Sequence, residues 1–287
     1  MKSRISPILW SSLVMALALL LTFFVASKEK VFVEANQITS PSVSLLPAVG
    51  YFFGVVVVMA LVLFLIPLSK LRLLFRFLFA LMFGWGVLVV ATLTLSPVVA
   101  YVLAGLTAVA WLLLARIWLH NAVLLIALSA AGAVFGFLFP PLTFMILMLI
   151  IAVYDVLAVR FGFMVWMADR LSESSTLPAF VFPKEMHDWG ASLKNVRVGD
   201  LKEKEADKRE YAILGGGDIG FPLMLAVSVF FASNLTSAIV VGVFALLGLM
   251  SVFPIQAFWF KGKPMPALPP VAFFSLIGFI ISVKFLS

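Results

Sequence analysis

The sequence predicts an all-α polytopic membrane protein with nine transmembrane helices, and three observations lead to this class. Hydrophobic residues make up 64% of the 287 residues and charged residues only 11%, so a water-soluble domain would have to expose very large apolar patches. The mean hydropathy is +1.19. Apolar runs of about 18 to 25 residues recur, the length that a helix needs to cross ~30 Å of hydrocarbon. These runs do not alternate apolar and polar residues as barrel strands do.

Charged residues and prolines mark the breaks between the runs. The expected spans cover residues of about 8–25, 46–68, 77–95, 98–115, a fifth ending near 139, 142–159, 213–231, 237–260 and 267–283. Residues 1–139 then form a scaffold of five spans, and residues 140–287 hold the other four. Within the second part, segment 161–211 carries mixed charge, and we expect it to be mobile and cytoplasmic, either gating access or serving as a solvated linker.

The distribution of basic residues predicts the orientation of the chain. Seventeen of the 20 Lys and Arg residues fall on one alternate side of the expected spans. Because cytoplasmic loops collect positive charge, the N-terminus is expected in the cytoplasm and the C-terminus outside. The net charge of +7 therefore follows topology and does not indicate nucleic-acid binding.

Two acidic residues lie inside apolar runs, Asp155 in the sixth span and Asp218 in the seventh. An ionisable group inside lipid is costly and is interpreted as functional by default. Asp155 lies roughly 7 Å inside the end of its span and Asp218 roughly 12 Å past Glu210, at 1.5 Å per residue. The spans run in opposite directions, so the two carboxylates lie at similar depth and meet if the helices are neighbours.

Two neighbouring carboxylates hold one proton between them and provide an acid and a base in one site. Such a pair can activate water and polarise a carbonyl group, as in aspartic proteases. The residues alone leave two alternatives open, which are a proton relay in a transporter and a structural hydrogen-bonded pair.

Unusual backbone surrounds the second aspartate. Gly215, Gly216 and Gly217 precede it and Pro222 follows it, so a regular first helical turn is not favoured. Open backbone at membrane depth must line protein or water, although close helix packing is the alternative interpretation. A proline-rich stretch, residues 263–270, stands where the ninth span begins. It is either a helix start or a rigid strip at the rim of a site.

Taken together, three motifs resemble those of the presenilin and signal peptide peptidase family of intramembrane aspartyl proteases. The motifs are Tyr154-Asp155, Gly215-Gly216-Gly217-Asp218 and Pro266-Ala267-Leu268, on the sixth, seventh and ninth spans. The close resemblance covers about residues 142–287, and the expected orientation is presenilin-like. It implies that Asp155 and Asp218 form the catalytic pair. It also implies that the remaining motif residues shape the site, with Gly216 at the variable position.

The resemblance implies an intramembrane aspartyl endopeptidase that hydrolyses membrane-embedded substrate helices and needs no metal or organic cofactor. Its partners would be transmembrane peptides and the lipid bilayer, with no nucleic acid, and an oligomer is compatible with the sequence. The short chain suggests a microbial member in the cell membrane. A proton-coupled transporter using the two aspartates is the alternative function.

A helical substrate must unwind before water can reach its carbonyl groups, and its freed backbone then needs new partners. The segments before Gly215 and around Pro264 to Leu268 are candidate edges for addition of a substrate strand.

Several other features point to ordinary roles. Gly132 and Gly136 match a small-residue motif that favours helix packing and leaves dimerisation as the alternative. His120 and His187 are expected at solvated surfaces. Two histidines cannot build a metal site alone, and the absence of cysteine excludes disulfide and thiolate chemistry.

Overall fold

The computed structural model describes residues 2–39, 43–173, 176–196, 210–260 and 265–285. This part of the chain contains ten α-helices and two β-strands. The elements are α1 (Lys2–Ala35), α2 (Leu45–Leu65), α3 (Leu68–Thr92), α4 (Pro97–Leu114), α5 (Ile117–Leu138), α6 (Pro141–Arg160), α7 (Phe163–Glu173), β1 (Ala179–Pro183), β2 (Tyr211–Gly215), α8 (Gly216–Ala232), α9 (Leu235–Phe258) and α10 (Leu268–Phe285). Two short 3-10 turns, Met186–Gly190 and Leu193–Asn195, follow β1.

Nine of these helices correspond to the nine predicted spans. Eight of them, α1 to α6, α9 and α10, are long and apolar enough to cross a membrane. The remaining one, α8, is apolar but has only 17 residues. The predicted class of a multi-pass helical membrane protein is confirmed. Its orientation in the membrane stays a prediction.

Prolines begin several helices, as the sequence indicates. Pro97 and Pro141 occupy the first turn of α4 and α6, where a missing backbone N–H costs nothing. Between α4 and α5, Ala115 adopts a left-handed conformation with φ 41°, so the chain reverses without a long loop.

Two helices extend further than predicted. Helix α1 continues past Lys28 and Lys30 to Ala35. The Lys30 ammonium donates to the Phe230 carbonyl at 3.2 Å. It also lies 4.7 Å from the centre of the Phe230 ring. Helix α3 begins at Leu68, before Arg76, whose guanidinium donates to the Leu112 carbonyl. Charged residues at the span ends reach partners on neighbouring helices, and the helices therefore do not stop at the charges.

The segment 161–211 is folded wherever the structure describes it, so the expectation of a mobile linker is wrong for that part. Residues 174–175 and 197–209, which include its densest charge, lie outside the described residues. Helix α7 follows α6 after a turn at Gly162, whose φ is 75°. All five residues of β1 are buried. Ala179 and Val181 pack in a second hydrophobic cluster with Ile117, Leu177, Leu193 and Val196, whereas Phe180 and Phe182 belong to the main core.

The two strands pair antiparallel, and this sheet is an addition to the predicted all-helical architecture. The register pairs Ala179 with Gly215 and Pro183 with Tyr211. In the described part of the chain the sheet has two strands. Strand β2 leads directly into α8, so the sheet fixes the start of the helix that carries Asp218.

Helix α8 packs against α5 through the predicted small-residue motif. A Cβ atom added at Gly132 would lie 2.9 Å from the Cβ of Leu223, and one added at Gly136 would lie 2.5 Å from the Cβ of Val227. Both distances are below van der Waals contact, so the two helices approach as closely as their backbones allow. The motif therefore serves packing within the chain.

We expect Gly136→Ala to destabilise the protein by about 1–3 kcal/mol, the usual cost of overpacking a close-packed core. The added methyl group would also lie 2.8 Å from the backbone oxygen of Met224, which cannot move freely. Thermal unfolding in detergent measures the effect. The control is Gly105→Ala on the exposed face of α4, where no atom lies within 4 Å of the added Cβ. Equal unfolding temperatures for the two variants would contradict this packing.

Candidate active site

Asp155 lies near the end of α6 and is almost fully buried, with 5% of its surface exposed. Its Oδ2 atom accepts a hydrogen bond from the backbone N–H of Leu268 at 3.3 Å. Leu268 is the first residue of α10, and the first N–H groups of a helix have no partner within the helix. The start of α10 therefore compensates a carboxylate that burial would otherwise penalise.

Asp218 is the third residue of α8, where the helix dipole favours a negative charge. Its carboxylate folds back towards Gly215 and accepts a backbone hydrogen bond from that residue. A Cβ atom added at Gly215 would lie 2.9 Å from the Oδ2 atom of Asp218. The missing side chain at Gly215 thus makes the space that the carboxylate occupies.

The structure brings Asp155 and Asp218 close enough for their charges to interact. Helices α6 and α8 pack against each other, and α10 contacts both. The sequence predicted that the two aspartates meet, and the structure places them near each other, Asp155 near the end of α6 and Asp218 in the first turn of α8. The resulting site is lined by the end of α6 and the starts of α8 and α10.

The three consecutive glycines have different surroundings. Gly215 borders the Asp218 carboxylate, as described above. Gly216 donates its N–H to the Pro178 carbonyl at 2.8 Å, and a Cβ there would lie 2.9 Å from the same oxygen. Gly217 is exposed, and a Cβ there would meet only the ring of Phe221, at 3.3 Å. The tightest backbone contact therefore falls on Gly216.

The motif Pro266-Ala267-Leu268 leads into α10 beside the site. Ala267 and Leu268 are buried, and Pro266 is half-buried. Two further prolines, Pro269 and Pro270, occupy the first turn of the helix. The stretch is thus a helix start, and the N–H of its first helical residue donates to Asp155. It therefore fits both interpretations from the sequence, a helix start and a strip at the rim of the site. Pro264, part of the predicted edge, lies outside the described residues.

Tyr154 takes part in an aromatic contact between α2 and α6. Its ring lies 6.0 Å from that of Phe52 and 5.5 Å from that of Phe53, both in edge-on geometry. The ring of Phe52 also lies 6.1 Å from that of Phe221 on α8. These rings form one wall beside the aspartates.

His120 and Asn121 are buried next to the sheet, so the expectation of a solvated surface is wrong for His120. His120 Nε2 lies 3.1 Å from the Ala179 carbonyl oxygen. Asn121 bonds both the N–H and the carbonyl of Val181, at 3.0 and 2.7 Å. In the sequence, His120 and Asn121 stand out only as a polar pair at the start of an apolar span. Their partners on β1 are distant in the sequence, so the pair alone does not reveal its contacts. His187 is exposed, as expected.

The backbone direction of each strand residue follows from these bonds. In an antiparallel pair, successive residues direct their N–H and C=O groups to opposite sides. The N–H and carbonyl of Val181 face α5. Across the sheet, the Pro178 carbonyl accepts from the Gly216 N–H, and the Lys184 N–H donates to the Glu210 carbonyl. Residues 212 and 214 therefore face β1, and Tyr211, Ile213 and Gly215 face away from it. That outer edge of β2 has no strand on it among the described residues.

One group of potential metal ligands lies together in the described part of the chain: Glu185, His187 and Asp188, whose ligand atoms are within 4.8 Å of one another. Both ring nitrogens of His187 already pair with the two carboxylates. Burial, followed by the negative charges of Asp188 and Glu210, raises the pKa of Tyr211. This acidic group lies at the end of the sheet remote from Asp218.

Comparisons with known proteins agree with this arrangement. The profile described as "Signal-peptide peptidase, presenilin aspartyl protease" matches residues 8–287. A presenilin family intramembrane aspartate protease solved in space group C222 is similar in fold, with 18% identity over 96% of this chain and 98% of that chain and a TM-score of 0.64. A structure of the same description in space group P2 gives 19% identity, 95% coverage of both chains and a TM-score of 0.61. No curated protein sequence matches the chain.

We expect Gly216→Ala to lower the free energy of unfolding by about 1–3 kcal/mol, because the methyl group would press on the Pro178 carbonyl. Gly217→Ala, one position later, is the matched control, since it needs only a small shift of the Phe221 ring and removes a helix glycine. Thermal unfolding in detergent compares the two. A Gly217→Ala variant less stable than Gly216→Ala would refute the assigned surroundings.

Proposed function

We propose that Asp155 and Asp218 are the catalytic pair of this protein, because the chain belongs to the signal-peptide peptidase, presenilin aspartyl protease family. Family membership makes the protein an intramembrane aspartyl protease, and the transporter considered from the sequence is set aside. The observation that carries the assignment is the proximity of the two carboxylates, with Asp155 near the end of α6 bonded to the start of α10 and Asp218 in the first turn of α8.

The chemistry follows from one proton shared by two carboxylates. The ionised carboxylate takes a proton from water as the water oxygen attacks the peptide carbonyl carbon. The protonated carboxyl donates to the carbonyl oxygen and polarises it. Collapse of the resulting diol returns a proton to the leaving nitrogen and breaks the C–N bond. No atom outside water and the two side chains is needed for the proton balance.

The outer edge of β2 is the binding place for an unwound substrate segment. A substrate helix must lose local hydrogen bonds before its carbonyl group is accessible, and strand addition replaces those bonds. Ile213 and Gly215 direct their backbone away from β1, and Asp218 follows three residues after Gly215. A strand lying along β2 would therefore pass the carboxylate. Residues around Pro266 to Leu268 would border it on the other side.

The substrates that fit this site are transmembrane peptides entering from the bilayer. Eight long apolar helices make the protein an integral multi-pass membrane protein. With the N-terminus in the cytoplasm, the ends of α2 and α6 and the starts of α8 and α10 would lie near the cytoplasmic surface. We also propose that the protein resides in the cell membrane of a microbe and that it is able to form an oligomer.

We expect Asp155→Asn and Asp218→Asn each to lower cleavage of a single-span peptide by at least about 10²-fold, since each removes one member of the acid and base pair at nearly constant volume. Purified protein and peptide in detergent, followed by mass spectrometry, measure the products. Asp188→Asn neutralises a carboxylate outside the site and is the matched control. Cleavage by either site variant at the wild-type rate would refute the catalytic assignment.

We expect Ile213→Pro to abolish cleavage, because proline removes the N–H that faces the outer edge of β2 while the bonds of residues 212 and 214 to β1 remain. Ile213→Ala keeps the N–H and shortens only the side chain, so it is the control and should retain most activity. Both are compared per mole of folded protein after size-exclusion chromatography. Wild-type cleavage by Ile213→Pro would remove strand addition at this edge.

A further inference from the structure

The sheet has a second edge, on β1, and side chains of α5 occupy it. Asn121 Nδ2 donates to the Val181 carbonyl at 2.7 Å, and the Val181 N–H donates to Asn121 Oδ1 at 3.0 Å. His120 Nε2 lies 3.1 Å from the Ala179 carbonyl oxygen. Two adjacent residues of one helix thus contact three outward backbone groups of β1.

The Asn121 side chain replaces the peptide group of a third strand. An amide carries one carbonyl acceptor and an NH₂ donor in one plane, so it can bond the N–H and C=O of a single residue as a neighbouring strand would. An edge without such partners is a template for another strand. With Asn121 in place, the edge of β1 at Val181 is already paired.

His120 is held in the tautomer that this contact needs. The indole Nε1 of Trp111 lies 3.3 Å from His120 Nδ1, and an indole nitrogen can only donate. Nδ1 of the neutral ring therefore accepts, and Nε2 carries the hydrogen that it donates to Ala179. His120 and Trp111 have no exposed surface, and the ring of Phe83 packs edge-on against His120 at 5.7 Å.

This edge is connected to the catalytic pair through the sheet. Val181 lies opposite Ile213 in the register, and Pro178 binds the N–H of Gly216 at the start of α8. A shift of β1 along α5 would therefore shift β2, its outer edge and the first turn that carries Asp218. The contacts from α5 are the described side-chain hydrogen bonds that fix β1 against the helix bundle.

We propose that His120 and Asn121 are positioning residues for proteolysis, which close the β1 edge so that a substrate strand adds to β2 alone and in one register relative to Asp218. This inference rests on the proposed function, and it deepens it by assigning cleavage register to residues on α5. Neither residue touches the substrate or the reacting atoms.

The first test measures how firmly Asn121 holds the edge of β1, and it does not depend on an activity assay. Asn121→Leu has nearly the same volume but cannot bond Val181. Amide hydrogen exchange of the detergent-solubilised full chain should then become at least about tenfold faster at residues 180–182 and 212–214, since an edge bond worth ~1.4 kcal/mol or more is lost. Exchange in the middle of α8 should stay unchanged. Unchanged exchange rates in both strands would refute the claim that Asn121 stabilises the edge of β1.

The second test measures cleavage register. Asn121→Leu and His120→Leu should raise the KM for a single-span peptide more than they lower kcat, and mass spectrometry should reveal additional cleavage positions. His120→Gln places an amide donor near the position of Nε2 and should restore the wild-type positions. Ser129→Ala is the matched control, because it removes a buried hydrogen bond of the same helix, to the Ala18 carbonyl, without touching the sheet.

The outcomes separate this inference from the proposed function. If wild-type protein cleaves at defined positions and Asn121→Leu cleaves at the same positions with unchanged KM, the positioning role is refuted while the protease assignment stands. If the wild-type protein cleaves no transmembrane peptide, the proposed function fails and the positioning role with it, whatever the exchange result. If Asn121→Leu does not fold, Asn121→Ser, which loses at least one of the two bonds, is judged by the same criteria.

Discussion

Carboxylates inside a membrane protein must find compensating partners, and this constraint organises the second half of the chain. Asp155 receives its partner from the first N–H of α10, and Asp218 receives its own from Gly215 and from the start of α8. Both partners are backbone groups that a regular helix leaves unpaired at its beginning. Helix starts are therefore placed where the acids need donors, and α6, α8 and α10 must converge at one level.

The two-stranded sheet solves a second problem of the same kind. Non-helical backbone near the membrane carries N–H and C=O groups that lipid cannot satisfy. Strand β1 pairs with β2 on its inner side, and on its outer side His120 and Asn121 contact the Ala179 carbonyl and the N–H and carbonyl of Val181. On the outer side of β2 no strand lies among the described residues, and Gly215 there donates its N–H to Asp218. This outer side lies next to the two aspartates, and it is the edge proposed above for strand addition.

Much of this arrangement is readable from the sequence, because hydrophobicity and the cost of buried charge are local signals. The nine spans and the proximity of Asp155 to Asp218 follow from them. The expectation that Gly216, Gly217 and Pro222 disfavour a regular first turn is wrong, because α8 is helical from Gly216 onwards. Strand β1 could not be predicted, since five apolar residues in a mixed-charge segment carry no periodicity that separates strand from helix. The roles of His120 and Asn121 depend on contacts some 60 residues away. The extended α1 and α3 were missed because their charged residues find partners on other helices.

The shortness of α8 has a consequence for the surrounding lipid. Seventeen residues span ~26 Å as a helix, less than the ~30 Å of a typical hydrocarbon core. Of the neighbouring helices, α9 has 24 residues, but α10 has only 18, so the deficit is shared by α8 and α10. Local thinning of the bilayer beside α8 is one way in which a membrane accommodates a short span. Thinned lipid brings headgroup water towards the two acids, so the bilayer itself would help to hydrate the site.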